Sequence, residues 1–454
     1  MTQSKFRFAS ALTSEGWQQD VAVTVDAAGL ITNVAAGGND GTLIRGAAIP
    51  AIANVHSHAH QRLMAGLAER AGLAADSFWT WREVMYGFAL KLSPDDLEAV
   101  AAQAYVEMLK AGYSCVGEFQ YLHHQPDGLA YDEPAEMSLR CISAAEQAGI
   151  GITLLPTLYT YGGFGGQASN AGQRRFVNTA DQFLEIHATL AKVCGAGALR
   201  RLGISPHSLR AVTVELLRAV LDGIGQGERV HIHVAEQVRE VEDCLAWCGR
   251  RPVDHLLENF EVSQRWCAIH ATHMTAAETA ALARSGAIAG LCPTTEANLG
   301  DGIFPAVDFI KHNGGGVAIG SDSQISISVA EELRQLEYSQ RLRDLTRNAL
   351  SAGAGASTGR SLLDAVWRGG ATSLDQPTGA IAVGKRCDIA VLDEDHAALT
   401  GRQGDGLLDS WIFSAGNAAV KDMIVAGRHV VKDRHHDGED TLKKRFTETV
   451  RRLA

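Results

Sequence analysis

Eight short apolar runs, each followed by a stretch of helical spacing, set the tightest limit on how this chain can fold. They are "AIANVHSH", "SCVGEF", "GITLLPTL", "RLGISP", "RVHIHVAE", "CAIHATH", "AIAGLCP" and "GVAIGSD". Runs of this length, bounded by turn residues and alternating with helices, read as parallel strands buried on both faces. Eight such units in succession form the pattern of an α/β fold, a closed (β/α)8 barrel of the TIM type. In that architecture the active site lies at the C-terminal ends of the strands.

One intervening helix is marked at both ends. In "SPDDLEAVAAQAYVEMLKAGY", Ser93 is placed to cap it, Pro94 occupies the first helical position, acids follow in the first turn, and Gly112 stops it. Outside the alternating region the pattern is β. "DVAVTVDAAGLITNVA" breaks at "DAAG" into two strands, and "GAIAVGKRCDIAVLD" and "VKDMIVAGRHVV" precede a basic amphipathic helix, "DTLKKRFTETVRRL". No low-complexity linker interrupts the chain, and no repeat exists beyond the strand-helix rhythm.

Composition narrows the partners. A formal charge of −11 over 454 residues offers no basic stripe for nucleic acid or an anionic membrane, although a local arginine or two can hold a small anion. The opening "MTQSKFRFAS" has no apolar core and no uninterrupted apolar stretch reaches about 18 residues, so a cytoplasmic location is expected. Eight cysteines are scattered. Cys244 and Cys248 in "CLAWC" stand at helical spacing with no second pair to complete a zinc knuckle, which makes them buried apolar thiols.

The ends of the predicted strands carry the chemistry. The first ends in "NVHSHAH", where His56 and His58 share one face because side chains alternate along a strand. The fifth places His233 and Glu236 at the mouth, the sixth His270, the eighth Asp322. Residues far apart in sequence but all at C-terminal strand ends converge on one pocket in a barrel. Three imidazoles and a carboxylate make a four-ligand set suited to Zn2+, with Fe2+ or Mn2+ as alternatives.

With these motifs, "HSH", "HVAE", "IHATH" and "IGSD", and the later "GAIAVGKRCDIAVLD", the chain resembles the amidohydrolase superfamily in its metal-dependent deaminase branch. The resemblance implies a catalytic barrel over residues 50–376 and a small β-sandwich domain built from residues 1–49 and 377–454. Within the branch, "NVHSHAHQRLMAGLAER", "SFWTWREVMYG", "GEFQYLHH", "GISPHSLRAV" and "CPTTEANLGDGIFP" resemble members that release ammonia from N-formimino-L-glutamate in histidine degradation, leaving N-formyl-L-glutamate. Two departures bear no chemistry: Ala51 follows Pro50 where many relatives have Pro-Gly, and Cys387 stands where alanine is usual.

The resemblance also implies roles. His56, His58, His233 and Asp322 hold one divalent ion, since the fourth strand ends "GISPHS" without the lysine of two-metal relatives. His270 hydrogen-bonds the reacting water, with direct ligation as the alternative, Asp322 doubles as general base, and Glu236 reaches the leaving nitrogen. Arg82, Arg210 and Tyr121 clamp the two carboxylates, while Gln61 and His207 hold the formimino portion. Arginine suits that task because its planar fork binds both oxygens of a carboxylate.

Other readings are plainer. The aromatic run "SFWTW" is packing for a lid, the segment from about Ala59 to Leu92, because an aliphatic substrate offers no ring to stack on. His231 lies one pleat below His233, where it fills the interior or supports a ligand from behind rather than holding the ion. Of His60, His123, His124 and His273, one or two at most touch substrate or solvent at the site. Relatives imply a homodimer. The alternatives are a deaminase acting on guanine or an adenosine derivative, and a metal-free scaffold.

Overall fold

In the computed structural model, which describes residues 4–38, 40–70, 78–195, 197–312 and 316–453, each of the eight apolar runs forms a strand. They span Ile52–Ser57, Tyr113–Gln120, Gly151–Leu158, Arg200–Leu202 with Ser205–Pro206, Val230–Val234, Trp266–His270, Ile288–Leu291 and Val317–Ile319. All neighbours pair in parallel. The ring closes where Ile204 bridges Val230 and where Ile319 pairs with Asn54. Helices separate successive strands, as parallel pairing requires.

Local sequence explains the elements. The helix Pro94–Ala111 starts at Ser93, whose side chain accepts from the Asp96 amide while the Asp96 carboxylate accepts from the Ser93 amide. It ends at Gly112, whose φ of 103° only glycine adopts without strain. The fourth strand breaks at Gly203, where a Cβ would stand 2.7 Å from the Arg229 carbonyl oxygen.

The barrel interior is filled rather than open. Val55, Cys115, Cys267, Ile269 and Ala318 pack together, and Leu374 joins them from the helix Thr358–Leu374. His231 donates from Nε2 to the Ser373 carbonyl at 2.9 Å. That bond fixes it as an interior filler on the same strand as His233. Cys244 is buried and Cys248 half-buried, with their sulfurs 4.0 Å apart.

Both chain ends build a second, mixed sheet of eight strands. It runs in the order His435–His436, Arg428–Lys432, Val420–Val425, Ile389–Leu392, Thr42–Pro50, Ser4–Thr13, Gly16–Val25 and Ile31–Ala35. Hydrogen bonding is continuous along it, yet the sheet folds across one of its own faces: Leu30 bridges Arg386, and Gly29 lies against Ala426. That face encloses Phe8, Val21, Val23, Ile44, Ile389 and Ile424. The other face packs on the barrel through Leu12, Ile49, Leu392 and Met423. The strand Thr42–Pro50 leads through Ala51 directly into the first barrel strand, so the sheet delivers the "HSH" segment to its place. Among the described residues no helix is long and apolar enough to cross a membrane.

Candidate metal centre and active-site cleft

The first, fifth and eighth barrel strands bring their terminal side chains to one point. His56 Nε2 lies 3.1 Å from His233 Nε2 and 3.3 Å from Asp322 Oδ1. His58 Nε2 lies 3.5 Å from the same Asp322 oxygen. The orientation of two of the rings is set from behind: His58 donates from Nδ1 to the Phe119 carbonyl at 2.9 Å, and His233 from Nδ1 to the His207 carbonyl at 2.8 Å. With those protons committed, their Nε2 atoms are lone-pair acceptors facing a carboxylate and another ring. Burial pushes the His56 imidazole down to about 3 and lowers those of His58 and His233 as well, so the rings stay neutral. A surplus of convergent acceptors in a buried site is the donor set that a divalent cation satisfies, and three nitrogens with one oxygen fit zinc.

The backbone around this point is strained. Ala235, His270, Ala271, Asp322 and Gln324 all have positive φ, between 45° and 66°. Such conformations cost about 1–3 kcal/mol each and persist where surrounding bonds dictate them. Here Asp322 donates its amide to the His56 carbonyl at 3.0 Å, and its own carbonyl accepts the His58 amide at 3.1 Å. Gln324 donates from Nε2 to both the Asp322 carbonyl and Ser57 Oγ at 2.9 Å. Asn54 donates to Ser321 Oγ at 2.6 Å and accepts the Ser321 amide. The first and eighth strand ends are thereby locked together.

Beside these four side chains stand further titratable groups. His270 Nε2 lies 3.6 Å from Glu236 Oε1 and 3.7 Å from Asp322 Oδ2. Burial alone would lower the His270 pKa, but Glu236, Glu296 and Asp322 outweigh it and raise it to about 10. Burial pushes the Glu236 carboxyl up to about 7 against the pull of His270 and Arg210. Glu240 accepts the amides of Ala235 and Glu236 at 3.1 Å each, which sets the turn that aims Glu236 inward.

These groups open into a cleft that is continuous with solvent. Its lining includes all five residues expected to bind substrate: Gln61, Arg82, Tyr121, His207 and Arg210. Gln61 donates to the Tyr121 hydroxyl at 2.9 Å while its own oxygen has no partner. Arg210 is half-buried, with Nη2 3.8 Å from Glu236 and 3.9 Å from Glu240, and neither its buried Nε nor its Nη2 makes a hydrogen bond. Arg82 Nε is likewise buried and unpartnered. Buried donors left unmet cost free energy, and both arginines line the same cleft.

The remaining histidines and the lid segment are placed as follows by the fold. His123 and His124 bond to the backbone carbonyls of Thr157 and Val177, and His273 to that of Asp301; none of the three lines the cleft. His60 reaches the site only through the Tyr121 hydroxyl at 2.9 Å. The lid segment appears in part as the helix Phe78–Ala89 over the cleft, and residues 71–77, including the serine of "SFWTW", lie outside the described residues. The aromatic run is more than packing, because Trp79 stacks with arginine side chains. Sequence reasoning missed the aromatic wall of Tyr86, Tyr159 and Phe176, and the supports Glu240 and Glu296. Glu296 sits within the quoted "CPTTEANLGDG", but nothing in its spacing marks it as a partner of His270.

The chain matches the amidohydrolase family over residues 47–430. It is 52% identical to formimidoylglutamate deiminase of Pseudomonas aeruginosa, with 98% of each chain covered. Among solved structures, an amidohydrolase from Brucella melitensis superposes with a TM-score of 0.94 at 45% identity, covering 99% of both chains. An adenosine deaminase from Xanthomonas campestris with bound zinc shares the fold at a TM-score of 0.80 and 22% identity, covering 99% of this chain and 98% of that one.

Proposed function

Because this chain belongs to the amidohydrolase family, we propose that it hydrolyses N-formimino-L-glutamate to N-formyl-L-glutamate and ammonia, a step of histidine degradation. The observation that carries this reading is the pair Arg210 and Arg82, whose unpartnered donors line the same cleft as the convergent imidazoles. A substrate with two carboxylates and an amidine matches two guanidiniums and an inward carboxylate. The 52% identity to a formimidoylglutamate deiminase over nearly the full length supports the same choice.

We assign His56, His58, His233 and Asp322 as the ligands of one Zn2+. When bound there, the ion would lower the pKa of water to give a nucleophile at neutral pH and would stabilise developing negative charge. Asp322 takes up the proton of the attacking water, which His270 hydrogen-bonds and orients; the two groups lie 3.7 Å apart. Glu236 pairs with the amidinium-like formimino group, then returns protons to the nitrogen that leaves as ammonia. Arg82, Arg210 and Tyr121 bind the carboxylates, and Gln61 with His207 orients the formimino end. The carbon gains oxygen and loses nitrogen, with no change of oxidation state. The same reading has a cytoplasmic homodimer acting on a small molecule, with no nucleic-acid or membrane partner.

The test is ammonia release by the zinc-loaded enzyme from N-formimino-L-glutamate, guanine and S-adenosylhomocysteine. Turnover confined to the first is expected; faster release from either purine compound would sink the assignment.

A further inference from the structure

Two guanidinium groups meet at one aromatic ring above the cleft. Arg82 Cζ lies 4.4 Å from the Trp79 ring centroid, and Arg239 Cζ lies 4.8 Å from the same centroid. Arg82 follows Trp79 by about one turn in the helix Phe78–Ala89, and its Cζ is also 5.5 Å from the ring of Tyr86, one turn further on. Arg239 comes from another element, the first turn of the helix Val238–Cys248, three residues beyond Glu236. The Trp79 ring therefore joins the helix that bears Arg82 to the segment that bears Glu236.

The contact sits where positioning matters. A second cleft, lined by Trp79, Arg239 and Trp247 among others, shares Arg82, Tyr159 and Arg210 with the active-site cleft. The helix Phe78–Ala89 buries fully only Met85, Tyr86 and Ala89, all in its second half. Its first half, which carries Arg82, has no fully buried side chain, and Trp81 there packs partly buried against the core. Arg82 makes no ion pair among the described residues, whereas Arg239 is neutralised in part by Asp243 at 3.6 Å. A flat guanidinium stacks well on indole, and Trp offers the strongest such face. A long arginine that is held in place before ligand arrives loses less rotamer freedom on binding.

We propose that Trp79 and Arg239 form a clasp that sets Arg82 over the cleft to receive a substrate carboxylate, so both are positioning residues for dicarboxylate recognition. This rests on the reading that Arg82 meets a carboxylate of the substrate. Neither residue touches the reacting atoms. The clasp acts on binding and leaves the chemical step alone.

The experiment uses the metal-loaded full-length enzyme and variants W79A, W79F, R239Q, R82M and W79A/R82M. In W79A, KM for N-formimino-L-glutamate rises about 5–10-fold while kcat stays within about twofold, the signature of lost uniform binding. W79F, which keeps an aromatic face, recovers most of that loss, and R239Q shifts KM in the same direction. In the R82M background, W79A adds nothing further, because the residue through which it works is gone. Without substrate, amide exchange over residues 78–86 quickens in W79A and R239Q. An unchanged KM in W79A, or effects of W79A and R82M that multiply, overturns the proposal. So does unaltered exchange in both clasp variants, a readout that stands even if the wild type fails to turn over N-formimino-L-glutamate and the preceding assignment falls.

Discussion

His270 Nδ1 lies 3.2 Å from Glu296 Oε1, so one side of the ring is held by a buried carboxylate while Nε2 faces Glu236 and Asp322. Glu296 is itself fixed, accepting the Cys292 amide at 2.9 Å. This relationship fixes the orientation of the ring and points Nε2 at the position of the reacting water. Replacing Glu296 by Gln removes the charge that holds the ring, and kcat falls about 10–100-fold. Bound metal stays at the wild-type level, measured by elemental analysis of the purified variant. Unchanged kcat would show that the pair is merely structural.

Glu236 is 3.6 Å from His270 and outside the ligand set. Glu236→Gln keeps its size and removes its capacity to exchange protons. We expect kcat to drop about 10²–10⁴-fold with metal content intact. Near wild-type turnover in ammonia-release assays would refute the proton-transfer role.

Arg210 carries unmet hydrogen-bond donors inside the cleft. Arg210→Met lowers kcat/KM about 10–100-fold, the worth of one charge-assisted contact. Arg210→Lys recovers only part of it, since an ammonium cannot offer a planar fork. Equal kcat/KM for all three forms in steady-state assays would remove Arg210 from the carboxylate clamp.

Chelation abolishes turnover and lowers the apparent melting temperature together. A ligand bound only to the native state adds about 2.7 kcal/mol of stability when present at 100-fold over its Kd. Scanning calorimetry before and after dialysis against chelator reads the second effect, and readdition of Zn2+ reverses both. A melting temperature indifferent to metal would argue against a bound ion at the strand ends.

Acid loosens the C-terminal helix Glu439–Leu453. Burial opposes ionisation of Glu98, but hydrogen bonds from Gln147, Arg445 and Arg140 prevail and hold its carboxyl below the ordinary 4.5. Glu439 is lowered in the same way by Lys110, again against burial. A carboxylate with a depressed folded pKa contributes stability that is present above the unfolded value and lost as pH falls through the folded one. The helix is therefore docked from neutral pH down to about 4.5 and frays below it. The loss is no more than about 1 kcal/mol, because these pairs are partly exposed. Limited proteolysis at pH 7 and pH 4 measures this, and Glu98→Gln should flatten the difference; equal cleavage rates at both pH values would discount it.

Period and local chemistry alone determined a good deal of this protein. Eight apolar runs with helical spacers specify parallel strands because a buried strand tolerates no polar alternation, and Ser93 with Gly112 marks a helix because unpaired backbone groups at its ends need those residue types. His56, His58, His233 and Asp322 were legible as a set because strand ends in a barrel point to one mouth. Tertiary structure alone decided which acceptors face each other at 3.1 Å, why Asp322 sits at a positive φ, and that Glu296 stands behind His270. It also turned Trp79 from packing into a seat for two arginines drawn from separate helices. These relations join residues with no shared period, and only the closing of the barrel brings them within reach of one another.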